Sequence, residues 1–207
     1  MFIKQIIPKA GFLTLLAKTT ATDFIQTWHI PEYICDELLK FYQINPDLRN
    51  KGVVNGDETW AEAKKSMDIA ICPTNFNRPF KEYRYFLQNC LEDYIKIYPK
   101  IDNLCTFNIC EPYNIQHYEK GEGFKREHFE RDGYDNVSLK RCLVFMTYLN
   151  DLDAGGTTFP YQKRTLKAQK GKTVIFPSDW THTHVGQISQ TQEKTIVTGW
   201  YSYVWNN

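Results

Sequence analysis

The chain has 207 residues, which is about one domain of ordinary size. Its composition, 42% hydrophobic and 24% charged, is that of a folded globular protein and excludes a disordered chain. A net charge of +1 provides neither the basic excess that tracks a nucleic-acid backbone nor a polybasic membrane anchor. No apolar run approaches the roughly 20 residues that span a bilayer. We therefore expect a soluble single domain over residues 1–207, with no membrane partner, and composition disfavours a nucleic-acid partner.

The short apolar run from Ala10 to Ala17 has some features of a secretory signal, but Lys18 closes it early. The six cysteines are spread over a chain long enough to fold without disulfides, and no Cys-x-x-Cys motif occurs. Cys35, Cys90 and Cys142 have apolar neighbours and are predicted to be buried free thiols. Together these features predict a cytoplasmic protein.

The first part of the chain, residues 1–103, is predicted to be a mostly helical support region. A helix is indicated from Pro31 through Phe41, ending at Asn45, and residues 46–58 have the composition of a loop. A stronger amphipathic pattern predicts a second helix from about Pro79 to Tyr98.

After residue 103 the pattern changes to short β-type segments separated by glycine turns. The predicted strands are Asn114–Tyr118, Arg141–Leu149, Thr173–Phe176 and Thr195–Val204. This pattern is typical of an antiparallel sandwich or jelly roll. The expected fold class is α+β, with supporting helices before a β core in residues 104–207.

A first candidate metal-binding group is His128 with Glu130. On a strand, residues i and i+2 point to the same face, so an imidazole and a carboxylate would project together. With one more histidine they would form a facial triad of the kind found in non-haem Fe(II) oxygenases. Taken alone, the pair is a weak signal and is better explained as part of a charged surface loop.

A second group contains His182 and His184, followed ten residues after His184 by Lys194. The two histidines could belong to a solvated loop, and Lys194 could reach water from a strand end. A lysine that instead enters an apolar strand is costly unless its ammonium meets an anion.

Five features in order resemble one family. They are His128-Phe129-Glu130, the strand end Tyr148-Leu149-Asn150, the turn Gly155-Gly156-Thr157, His184, and Lys194 ten residues later. The sequence resembles the 2-oxoglutarate- and Fe(II)-dependent dioxygenases in their prolyl-4-hydroxylase-like branch. The resemblance covers about residues 113–203.

The resemblance implies a double-stranded β-helix, or jelly roll, whose metal ligands would be His128, Glu130 and His184. It prefers His184 over His182, which would then line the substrate cleft or lie behind the ligands. It implies Fe(II), 2-oxoglutarate and O2 as cofactor and cosubstrates, with ascorbate as an optional addition. The cosubstrate would be held by Lys194 and Tyr148, with Tyr118 and Trp200 beside it; for the aromatic residues, ordinary core packing is the alternative.

The family reaction converts 2-oxoglutarate to succinate and CO2 while hydroxylating a C–H bond. By branch resemblance the first expectation is a peptidyl prolyl hydroxylase, the second a hydroxylase of a small molecule or of another side chain. A non-catalytic jelly-roll binding module is the alternative from another class, and Lys194 argues against it. Glu130 departs from the family's usual Asp, which puts the metal geometry in question more than metal binding.

Substrate contacts are expected from three loops, residues 46–78, 119–127 and 150–170. Four arginines could grip an anionic group but are better explained as solvated surface residues: Arg78, Arg126, Arg131 and Arg164.

Overall fold

The structure, a computed structural model, describes residues 14–15, 23–52, 63–103 and 105–204. Over these ranges the chain forms two α-helices, α1 (Glu32–Ile44) and α2 (Phe80–Ile97). It also forms twelve strands: β1 (Thr14–Leu15), β2 (Gln26–His29), β3 (Asn50–Lys51), β4 (Met67–Ile71), β5 (Phe107–Asn108), β6 (Tyr113–Tyr118), β7 (Arg141–Tyr148), β8 (Thr157–Phe159), β9 (Arg164–Leu166), β10 (Lys172–Pro177), β11 (Val185–Gly186) and β12 (Lys194–Tyr203).

The strands build two antiparallel sheets. The large sheet has the order β1-β2-β10-β7-β12-β6-β4-β3, with β5 paired to the end of β12, and the small sheet has the order β11-β8-β9. Two helices beside antiparallel sheets confirm the predicted α+β class, and the two-sheet arrangement agrees with the predicted jelly roll.

The two faces of the large sheet bury different partners, as the alternation of β7 shows. Leu143 and Phe145 belong to the core that contains both helices. Val144, Met146 and Tyr148 point to the opposite face and share a second core with residues of the small sheet. Because side chains alternate along a strand, this nearly continuous apolar run fills both cores.

The helices follow the predicted boundaries closely. α2 buries one face, with Tyr83, Leu87 and Tyr94 packed on the large sheet, and it ends one residue before Tyr98. Apolar residues spaced about 3.6 positions apart predict this helix. It ends before Pro99 because proline has no N–H with which to continue the helical hydrogen bonds. α1 ends before Pro46 for the same reason.

The prediction that residues 1–103 are mostly helical is wrong for four short strands, of which β2 and β4 are the two longer ones. Strand β2 pairs with β10, and β4 pairs with β6, so both belong to the large sheet. Each is only four or five residues long and lies between other strands. The first three residues of β2 are buried whether polar or not, so the sequence has no alternation that would indicate a strand. That residues 1–207 form one domain stays a prediction.

The predicted glycine turns and free thiols are present. Gly171, in the turn before β10, has φ +79°, and a Cβ there would lie 2.5 Å from the Ile30 carbonyl oxygen, so only glycine fits. Cys35, Cys90 and Cys142 are buried free thiols. Across the described ranges, no helix is both long and apolar enough to cross a membrane.

Candidate metal centre

A cavity of about 500 Å³ is lined by residues from both sheets. The large sheet contributes side chains that all lie on its non-helical face, including Met146, Tyr148, Ile196 and Trp200. Gly186 on β11 belongs to the small sheet and also lines it. The cavity therefore lies where a jelly roll has space between its sheets.

His128, Glu130 and His184 meet in this cavity. His128 and His184 exchange two main-chain hydrogen bonds of 3.0 and 2.9 Å, which fix their segments side by side. The Glu130 Oε1 atom lies 3.6 Å from Nε2 of His128 and 3.7 Å from Nε2 of His184. The three ligand atoms all lie within 4.8 Å of one another, which is the spacing of a site for one ion.

Each histidine is oriented through its other ring nitrogen. Nδ1 of His128 lies 2.9 Å from the Arg126 carbonyl oxygen, and Nδ1 of His184 lies 3.0 Å from that of His182. A carbonyl only accepts, so each Nδ1 carries the proton and each Nε2 offers a lone pair to the centre of the group. Phe124 stacks on the His128 ring at 3.7 Å between centroids and holds its plane.

The charges of the three residues suit a cation. Burial raises the pKa of the Glu130 carboxyl, but the two adjacent imidazoles of His128 and His184 outweigh it and hold that pKa well below its usual value. Burial and the neighbouring His128 lower the pKa of His184. A carboxylate and a neutral imidazole are the protonation states in which both groups bind metal.

The second carboxylate oxygen of Glu130 is held separately. Its Oε2 accepts a 2.9 Å hydrogen bond from the indole N–H of Trp200. Nη1 of Arg141 lies 3.6 Å from the same oxygen and donates a 3.0 Å bond to the Glu130 main-chain carbonyl. Arg141 in turn grips the Glu111 carboxylate at 2.9 and 2.7 Å.

Lys194 enters the cavity from the first position of β12 and is 5% exposed. Its ammonium donates to the Gln187 carbonyl at 3.1 Å and lies 4.9 Å from the centre of the Tyr118 ring. Over the described ranges it forms no ion pair with a carboxylate. Burial lowers the pKa of the Lys194 ammonium to about 8. Such a lysine is costly by itself and is suited to an incoming anion.

The two predicted tyrosines are buried and lie near the same cavity. The Tyr148 hydroxyl is 2.6 Å from Oγ1 of Thr157, and the Tyr118 hydroxyl donates to Oε1 of Gln116 at 2.7 Å. Burial raises the pKa of both phenols, so they remain neutral hydroxyl groups at ordinary pH. All four side chains line the cavity.

His182 is placed elsewhere. Its Nε2 bonds the Asp23 carbonyl at 2.9 Å and its Nδ1 lies 3.0 Å from the Thr181 hydroxyl, so both ring nitrogens are occupied. His182 was predicted either to line the substrate cleft or to lie behind the ligands. The structure favours the second position, because the main-chain carbonyl of His182 orients the His184 ring.

Three of the four arginines are paired with acids. Arg78 pairs with Glu37, Arg131 approaches Asp179, and Arg164 pairs with Asp23; none of these arginines lines the cavity.

The sequence analysis did not predict two groups of residues that line the cavity. Arg141 was predicted only as the beginning of a strand. From the loop 46–78, the buried Lys64–Asp68 pair (2.8 Å) lines the cavity, and Oδ1 of Asp68 has no hydrogen-bond partner among the residues that the structure describes. The Arg141–Glu111 contact joins residues 30 apart in the chain, which local sequence patterns do not indicate. Lys64 and Asp68 are four residues apart, but they lie in a segment that was predicted only as a loop.

The residues fit the expected groups. Two neutral imidazoles and one carboxylate are a facial-triad donor set that leaves positions open for other ligands. The unpaired Lys194 ammonium in the same cavity fits a dicarboxylate whose other end reaches that set. Nothing in the donor set resembles a closed structural site of four protein ligands.

The comparisons with known proteins agree with this geometry. Residues 113–202 match the family model of the 2OG-Fe(II) oxygenase superfamily. The search of curated proteins found no match.

The similar solved structures include several prolyl hydroxylases. A viral collagen prolyl hydroxylase from Paramecium bursaria Chlorella virus-1, in complex with 2-oxoglutarate, is 19% identical with a TM-score of 0.67, covering 88% of this chain and 98% of that one. A Pseudomonas putida prolyl-4-hydroxylase is 17% identical with a TM-score of 0.65, covering 89% and 95%. A Trichoplax adhaerens prolyl hydroxylase, in complex with a hypoxia-inducible-factor peptide fragment, is 14% identical with a TM-score of 0.67, covering 87% and 84%. At these identities the likeness establishes a shared fold.

Proposed function

Residues 113–202 belong to the 2OG-Fe(II) oxygenase superfamily, and from that premise we propose that the chain hydroxylates prolyl residues of a peptide or protein. The observation that carries the proposal is the joint presence, in one cavity, of the His128–Glu130–His184 group and an unpaired buried lysine. The fold shared with three prolyl hydroxylases supports the choice of substrate.

His128, Glu130 and His184 would hold Fe(II) through two Nε2 atoms and Oε1. When bound, iron with 2-oxoglutarate and O2 supplies the oxidising chemistry that hydroxylates a C–H bond. The contribution of the chain is to keep both imidazoles in the correct tautomer and to leave the remaining positions open.

Lys194 would bind the distal carboxylate of 2-oxoglutarate, because its ammonium is buried in this cavity and has no acidic partner among the described residues. Burial makes that pairing stronger than it would be in water. The hydroxyls of Tyr148 and Thr157 are neutral donors beside the same space. Met146 and Ile196 close it with apolar side chains that exclude water.

The substrate would lie toward β4 and the edge strand β3, where the cavity lining is polar. Asn50, Asp68, Asn114 and Gln116 line this part, and within the described ranges no group donates a hydrogen bond to Oδ1 of Asp68. Amide and carboxylate groups suit the main-chain N–H and C=O groups of a peptide. The lining equally suits a small polar molecule, which is the alternative substrate class.

The test is a turnover assay with Fe(II), 2-oxoglutarate and a synthetic Pro-Pro-Gly repeat peptide. We expect succinate above the no-peptide background and a peptide mass increased by one oxygen atom. A matched peptide with Ala for every Pro, and the Lys194→Ala variant, serve as controls.

The possible outcomes separate the candidate functions. Succinate formed without peptide modification would transfer the proposal to a small-molecule substrate. If the folded protein binds neither Fe(II) nor 2-oxoglutarate, the oxygenase proposal is wrong and a non-catalytic binding module becomes the better hypothesis.

A further inference from the structure

The two carboxylate oxygens of Glu130 have different partners. Oε1 faces His128 and His184, while Oε2 accepts the Trp200 indole N–H at 2.9 Å. A glutamate has one more rotatable bond than the aspartate usual at this place in the family. Without a second contact, either oxygen, or both, could turn toward a metal ion.

The partners of Oε2 are themselves fixed. The Arg141 guanidinium lies 3.7 Å from the centre of the Trp200 ring, so the indole is stacked as well as hydrogen-bonded. Two N–H groups of Arg141 hold Glu111, and a third holds the Glu130 main-chain carbonyl. The Arg141 and Glu111 side chains are only 16% and 12% exposed. The two-bond ion pair between them, here called the Arg141–Glu111 fork, is therefore shielded from water.

We propose that Trp200 and Arg141 are positioning residues that occupy Oε2 of Glu130, so that the longer carboxylate binds Fe(II) through Oε1 alone. This inference rests on the proposed metal site. It assigns Trp200 to the metal ligand instead of to 2-oxoglutarate, and it explains how a glutamate serves where the family usually has aspartate.

The test is the affinity of the protein for Co(II) or Fe(II), measured anaerobically without 2-oxoglutarate. Trp200→Phe keeps the ring that stacks on Arg141 and removes only the N–H. We expect metal affinity to fall by about 10–100-fold, the usual effect of losing a hydrogen bond to a metal ligand. The visible Co(II) bands should also change as the carboxylate turns. Trp180→Phe is the matched control, because Trp180 is 62% exposed and does not contact Glu130.

A double-mutant cycle with Glu130→Asp separates positioning from general damage to the fold. The shorter aspartate does not reach the indole, so Trp200→Phe should cost little further affinity in that background. Arg141→Lys keeps the charge but loses the two-pronged grip on Glu111, and should weaken metal binding in the Glu130 background by a similar factor.

The two failures are distinguishable. A wild-type protein that binds no metal overturns the proposed function and this inference together. A wild type that binds metal, with Trp200→Phe unchanged in affinity and Co(II) spectrum, overturns this inference alone.

Discussion

Lys194 carries a free-energy cost that only an anionic ligand would offset. Burial lowers its pKa from the ordinary 10.5 to about 8. At pH values below 8 the protonated lysine must be desolvated on folding, and the shift corresponds to about 3 kcal/mol. The cost shrinks as pH rises from 8 toward 10.5, because the unfolded chain then also loses the proton.

We therefore predict that Lys194→Met stabilises the ligand-free protein at pH 7 by up to about 3 kcal/mol. Urea denaturation with and without the substitution measures it, and repetition at pH 10 should show a smaller gain. The same variant should bind 2-oxoglutarate far more weakly. A variant that is less stable and binds normally would contradict the assigned role.

The same pKa predicts the pH dependence of 2-oxoglutarate binding. Only the ammonium form pairs with a carboxylate, so affinity should be flat below pH 8 and fall by about tenfold per pH unit above it. Calorimetric titration of the metal-loaded protein from pH 6.5 to 9.5 measures the profile. Lys194→Arg, if it binds, should give a flat profile, since arginine stays charged throughout. A flat wild-type profile would remove Lys194 from the site.

The histidine choice is tested by a matched pair of substitutions. His184→Ala should abolish turnover and lower Fe(II) affinity by roughly 100-fold or more. It removes a metal ligand outright, which costs more affinity than the loss of a residue that only hydrogen-bonds to a ligand. His182→Ala should retain metal binding, because both of its ring nitrogens are bonded away from the group. Equal metal affinity in wild type and His184→Ala, measured by anaerobic titration, would reverse the assignment.

At the scale of elements, β12 does most to assemble the cavity. Lys194, Ile196, Thr198 and Trp200 follow one another at a period of two and all line it. The sequence predicts this strand and therefore predicts which of its residues share a face. The residues between them fill the core beneath the helices.

Gly199 makes the close contact between β12 and that core possible. A Cβ at this position would lie 2.4 Å from Cζ of Phe145 and 2.5 Å from Cβ of Tyr113. We predict that Gly199→Ala destabilises the protein by about 1–3 kcal/mol, because the ring and the strand must both move. Thermal denaturation measures the effect, and Thr198→Ser on the cavity face is the control.

The elements that sequence patterns identify well are those with a long, one-sided period. α2 and the strands β7, β10 and β12 are found within one or two residues of their predicted boundaries. β2 and β4 were missed because short strands inside a sheet carry no alternation. His128 and Glu130 could be named because their spacing is local, and His184 because the family resemblance covers it. The Arg141–Glu111 fork joins residues 30 apart in the chain, and the Lys64–Asp68 pair lies in a segment predicted only as a loop, so neither could be named.

At the scale of the whole molecule, one cavity serves two purposes. The inner strands β7 and β12 supply the lysine, the neutral hydroxyls and the apolar wall for a keto acid. On our proposal, β4 and the edge strand β3 supply polar groups for a larger substrate.

The most direct test of the account is an anaerobic Fe(II) titration of the wild-type protein with and without 2-oxoglutarate. We predict a weak visible charge-transfer band when both are present, lost in His184→Ala and requiring much more 2-oxoglutarate in Lys194→Ala. A correctly folded wild-type protein that shows no band at saturating Fe(II) and 2-oxoglutarate would contradict the claim that His128, Glu130, His184 and Lys194 form one oxygenase site.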